Sequence, residues 1–183
     1  MKDLKRLVFV DIEASGLCFD AGMLSIGAVH YLSNKEFYVQ MRLDDHQVYE
    51  ERALLINGFS ASDCRNDSLP TQLEAVKMFY KWVEAIRSEY FGKELAIMGG
   101  HNIHGDINSL KSVKKSWPFQ SRTVDVHAAA FCLFGVSYSA KCLCERLGVT
   151  PEAEIHNALE GAKQGLRCFK KMREGNVLSE RYN

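Results

Sequence analysis

The sequence predicts an α/β fold: a mixed sheet with helices packed on its faces. Three observations carry this. Short apolar runs rich in β-formers recur along the chain, such as "LVFVDIEA" and "ELAIMGG". The first strands read as a meander. After them, strand and helix patterns alternate, which calls for parallel pairing and helical cover.

"LVFVDIEA" suits a buried central strand. "MLSIGAVHYL" and "EFYVQMRL" flank "SNK" and form a hairpin, with Ser33 and Asn34 supplying turn chemistry. Thr71 and Glu74 make a T-x-x-E capping box after Pro70. Leu73, Val76, Phe79, Tyr80, Val83 and Ile86 follow at helical spacing, so 71 to about 90 is an amphipathic helix. "ELAIMGG" is a second buried strand, "DINSLKSVKKS" a helix, and "RTVDVHA" a strand running into a helix. "YSAKCLCERLG" is a helix closed by Gly148, and "HNALEGAKQGLRCFKKM" is the last helix, with His156 at its opening and cations near its end. The predicted order is β β β α β α β α α α.

The chain has 183 residues, which suits one domain spanning 1–183. Its formal net charge is zero, which argues against non-specific coating of a duplex and makes any phosphate contact local. The six cysteines form no CxxC pair, so free thiols in a reducing compartment are the expectation. No run reaches the length of a membrane span, and the N-terminal apolar core is short for a signal peptide. The expected location is cytoplasmic, with no membrane partner.

Asp11 and Glu13 stand at i, i+2 near the end of the first strand and share one of its faces. Two carboxylates so close are costly unless compensated. A hard divalent cation would compensate them, and two solvated loop acids are the plainer alternative. Asp106 follows the strand "ELAIMGG", and Asp125 follows the third strand of this kind. Near a helix start an acid also serves the helix dipole. Of the six histidines, His156 is the most suggestive, because it lies next to acids. His30 is expected in or beside the sheet and His46 in a loop; His101 and His104 could line a site or be structural. Lys111, Lys114 and Lys115 could hold phosphates or form a solvated face.

Taken together, "VFVDIEASGL", "GGHNIHGDINSL", "TVDVHA" and "HNALEGA" resemble, in order and spacing, the motifs of the DEDDh 3′–5′ exonucleases, the DnaQ-like family of proofreading subunits and RNase T. The match runs from about residue 7 to 170. The resemblance implies a ribonuclease H-like mixed five-stranded sheet flanked by helices. It implies hydrolysis of 3′-terminal phosphodiesters of single-stranded DNA or RNA at a two-metal site for Mg²⁺ or Mn²⁺. Asp11 would bridge the ions, Glu13 hold the first and Asp106 serve the second. His156 would be the general base. Ala14, Ser15, Gly16, Leu17 and Asn102 would meet the 3′ end. Oligomeric state is left open, a homodimer included.

Two positions depart from the pattern. Gly105 stands where relatives often carry a phenylalanine for base stacking. The last metal-binding aspartate falls on Gly161. Three readings stay open there: a missing ligand, substitution by Glu160 or water, and misalignment. Glu160 also sits four residues from His156, on the same side of the expected helix, where it could contact the histidine instead. If the ligand is missing, Gly161→Asp is expected to complete the site, and a 3′-end binder without catalysis becomes the alternative function. A scaffold in which the acids are incidental is a third.

Overall fold

A computed structural model describes residues 2–175 and shows a five-stranded sheet. The strands are β1 (Leu7–Ala14), β2 (Met23–His30), β3 (Glu36–Gln40), β4 (Ala96–Gly100) and β5 (Phe119–Asp125), in the spatial order β3-β2-β1-β4-β5. β1, β2 and β3 pair antiparallel, whereas β4 joins β1 and β5 in parallel. The mixed sheet with flanking helices is the ribonuclease H-like arrangement expected from the sequence. The helices are α1 (Glu51–Asn57), α2 (Gln72–Tyr90), α3 (His104–Val113), α4 (Val126–Phe134), α5 (Ala140–Leu147) and α6 (Ala158–Arg173).

Local chemistry explains most element ends. Asn34 turns the β2–β3 hairpin with φ 55, and the Ser33 hydroxyl meets a His30 ring nitrogen at 2.8 Å. Thr71 and Glu74 form the reciprocal capping box of α2. Gly148 closes α5 in the left-handed conformation. His30 is buried in β2, and His46 lies in a turn.

Four expectations are corrected. Helix α1 had no clear sequence signal, because seven residues barely show a helical period. Helix α3 ends at Val113, so Lys114 and Lys115 lie beyond it. Lys111 sits over the Trp117 ring at 4.8 Å, and Lys114 lines a groove with Tyr80 and Trp117. The last helix begins at Ala158, because the Asn157 side chain caps it by accepting from the N–H groups of Leu159 and Glu160. His156 therefore precedes the helix, and four-residue helical spacing does not relate it to Glu160.

Strand alternation divides β1 between two cores. Val8 and Val10 join the core beneath α2, with Phe79 and Val83. Leu7 and Phe9 join the core beneath α4 to α6, with Leu143 and Leu166. Asp11 and Glu13 continue the Leu7–Phe9 row, so they emerge on the α6 side.

Helix α6 sits on the sheet through glycines. Gly27 of β2 lies directly under Ala158 and Leu159, and a Cβ added at Gly27 would strike their backbone. Gly165 faces Phe9, with 3.5 Å to a ring carbon for an added Cβ. Backbone atoms cannot retreat as a side chain can, so Gly27→Val must lift the start of α6. Overpacking of this kind costs about 1–3 kcal/mol, and blocking backbone places it at the upper end. Urea unfolding is expected to show a loss of about 3 kcal/mol; an unchanged midpoint would contradict the packing argument.

Candidate active site

Asp11 and Glu13 project from the last residues of β1, paired across the sheet with Gly27 and Ser25. Their carboxyl groups are in hydrogen-bonding reach of each other. Asp106 comes from the first turn of α3 and lines a cavity of about 520 Å³ together with Asp11. His156 lies in the segment before α6, held by its backbone N–H donating to Ile56 O at 2.8 Å. The imidazole is exposed and lines a second cavity of about 530 Å³, with Glu13, Arg52 and Asn57. Helix α1 is thus a wall of the site: it sets His156, and Asn57 donates to Ala14 O at 3.0 Å.

The predicted 3′-end contacts divide. Ala14, Gly16 and Leu17 line both cavities. Ser15 does not: it is fully buried, its hydroxyl donates to Val48 O at 2.7 Å, and its N–H donates to Gly22 O. Ser15 shapes the loop and does not present itself to a ligand. The Leu17 N–H is already held by Glu50 Oε1 at 3.0 Å. Asn102 turns the β4–α3 connection with φ 55, and its N–H donates to Asp125 Oδ1 at 3.2 Å. Asp125 caps α4, and its charge also bears on Asp106.

Glu160 is paired with cations of its own helix, although its charge still reaches Glu152. Its carboxylate pairs with Lys163 at 3.1 Å and Arg167 at 3.9 Å, and Lys163 also holds Glu36 at 2.9 Å. Another acid enters instead. A ligand atom from each of Glu13, Glu152 and His156 lies within 4.8 Å of the others. No motif marked Glu152, because it sits in the irregular segment between α5 and α6, where spacing does not determine position. Phe19 was also missed. It is fully exposed, as is Leu17, and lines the same cavity as Gly105.

The electrostatics are those of crowded, half-buried acids. Burial holds the Asp11 carboxyl well above its usual range, with the Asp106 and Glu152 charges adding to it. Burial, then Asp11 and Glu152, pushes Glu13 to about 8. Burial raises Asp106 to about 7, although the Ile12 N–H offsets part of this. Burial also raises Glu152, against the lowering effect of the Asn157 N–H and His156. The oxygen-rich donor set suits a hard divalent cation, with one imidazole beside it. Asn57 Oδ1, in a residue lining the same cavity, is buried without a hydrogen-bond partner among the described residues.

No protein-family model matches the sequence, and no curated protein is significantly similar to it. The fold is similar to that of solved nucleases. The nuclease domain of 3′hExo, a DEDDh family member bound to rAMP, superposes with a TM-score of 0.74 at 13% identity, over 93% of this chain and 92% of that one. Pop2p of S. pombe, in a form with Mg²⁺ and Mn²⁺ bound, gives 0.69 at 10% identity, over 93% and 84%. Against a full-length 3′-exonuclease the values are 0.73 and 12%, over 93% of this chain and 61% of the longer protein. The resemblance read from the motifs and the likeness of folds agree.

The raised carboxyls have a consequence for stability. With Glu13 and Asp106 above their unfolded values, the folded chain binds protons more tightly than the unfolded one. Their contribution is full at pH values below the unfolded carboxylate range and is lost as pH rises through about 7 to 8. In chelator, Glu13→Gln is therefore expected to be more stable than the wild type at pH 8 and less pH-dependent between pH 6 and 8. Denaturant midpoints at several pH values measure this; a variant less stable than wild type at pH 8 would refute the crowding.

Proposed function

We propose that this protein is a divalent-metal-dependent 3′–5′ exonuclease acting on single-stranded nucleic-acid ends. The observation that carries the reading is the meeting of Asp11, Glu13, Asp106 and His156 around one pair of cavities, in a fold shared with DEDDh nucleases. Asp11, Glu13 and Asp106 would hold Mg²⁺ or Mn²⁺. When bound, such cations stabilise charge on the attacking and leaving oxygens of a phosphodiester.

The chain's own residues supply the rest. His156 stands exposed at the cavity edge, where its imidazole can take a proton from the attacking water. Arg52, on the same rim, offers a guanidinium to a backbone phosphate. Leu17 and Phe19 present apolar surface on which a terminal base can lie. The likeness to a nuclease bound to rAMP supports RNA as a substrate class, and DNA ends fit the same surfaces. A second reading, a 3′-end binder without catalysis, draws on Gly161 alone.

Assays on 5′-labelled linear strands, with Mn²⁺, Mg²⁺ or chelator, separate the two. Stepwise shortening that requires metal is expected, with circular strands untouched; circles degraded as fast as linear strands would rule out an exonuclease. His156→Ala is expected to slow cleavage by about 10²–10⁴-fold, and undiminished activity would remove His156 from the mechanism. Phe19→Ala is expected to weaken single-strand binding by about 1–3 kcal/mol, the usual worth of one stacked base. Equal affinity in a fluorescence titration would show that Phe19 is a bystander.

A further inference from the structure

We propose that Glu152 supplies the metal-binding carboxylate that position 161 lacks. The inference rests on the exonuclease reading and deepens it, since it assigns a ligand from outside the motif that resembles the family's.

The space beyond Gly161 is already taken. A Cβ added there would lie 2.8 Å from Asp11 Cγ and would strike the nearer carboxylate oxygen. Asp11 therefore leans into the room that an acid on α6 would need. An aspartate at 161 and Asp11 in its present position exclude each other. Gly161→Asp therefore requires the Asp11 carboxylate to swing aside before both acids can share the site.

Glu152 approaches from the segment before α6 and is held there at two points. Its backbone N–H donates to Gln164 Oε1 at 2.6 Å, and its own Oε1 accepts from the Asn157 N–H at 2.5 Å. Gln164 is buried within α6, and Asn157 is that helix's cap, so the folding of α6 places Glu152. A carboxylate that accepts one hydrogen bond keeps lone pairs for an ion. Glu152 lies within ligand reach of Glu13 and His156, whereas Glu160 is spent on Lys163 and Arg167. Asn57, whose buried Oδ1 finds no partner among the described residues, stands in the wall of the cavity that Glu13 and His156 line.

The test is Mn²⁺ binding measured by calorimetry on the full chain. Glu152→Gln keeps an acceptor for the Asn157 N–H and removes a charge from the crowded acids, so its unfolding midpoint in chelator should be no lower than the wild type's. Its Mn²⁺ affinity is expected to fall by at least about tenfold, the lower range for disturbing a metal site. Glu160→Gln should bind as the wild type does. Wild-type affinity in Glu152→Gln overturns the inference, and if Asp11→Asn still loses the ion, the exonuclease reading survives that failure. A wild type that binds no Mn²⁺ overturns both. Should Glu152→Gln fold poorly, a Mn²⁺ soak of the unsubstituted protein decides. An ion about 2–2.5 Å from a Glu152 oxygen is expected, and an ion at Asp11 and Glu13 with Glu152 out of contact refutes it.

Discussion

Everything at this site depends on how closely helix α6 can approach the sheet. Gly27 lies under the first turn of the helix, and Gly161 and Gly165 face Asp11 and Phe9. Glycine in a helix costs about 1 kcal/mol relative to alanine; at Gly161 a Cβ would strike the Asp11 carboxylate, whereas at Gly165 one would meet Phe9 at ordinary contact distance. The approach sets the helix start at Ala158, and with it the cap Asn157 and the two residues tied to that cap region, Glu152 and His156. Space and chemistry are thus coupled: the glycines that seat the helix also leave room for Asp11.

The carboxylates are arranged against their own repulsion. Strand periodicity places Asp11 and Glu13 on one face, and α3 adds Asp106 from the other side of β1. Burial holds all three carboxyls above their usual range, with their mutual charges adding to it. Folding tolerates this because the surrounding sheet and helices bury apolar side chains on both faces. Perturbed carboxyls gathered in a cleft mark functional sites more often than structural ones, because stability alone gives no reason to assemble them.

The walls of the cleft are as particular as its floor. The segment 15–22 is folded back on itself by the Ser15 hydroxyl, which leaves Leu17 and Phe19 standing free at the rim. The short helix α1 carries Arg52 and Asn57 to the opposite wall and sets the His156 backbone. The exposed Phe19 and Gly105 line the same cavity.

Sequence by itself determined what depends on short-range periodicity. A continuous apolar run rich in β-formers marked β1, and the two-residue period of a strand sent Asp11 and Glu13 to one face; the capping box marked the start of α2; turn residues marked the β2–β3 hairpin. The order of strands and helices then implied the mixed sheet, since chain connectivity leaves few ways to pair them. Tertiary structure alone decided the rest. A seven-residue helix carries too little period to be read, so α1 and its wall were invisible. Glu160 looked like a neighbour of His156 on one helix, but the Asn157 cap starts the helix after the histidine, and Lys163 and Arg167 pair with Glu160. Glu152 could not be found from spacing, because an irregular segment has no period. Only the docking of α6, through contacts between residues remote in sequence, brings its carboxylate beside Glu13.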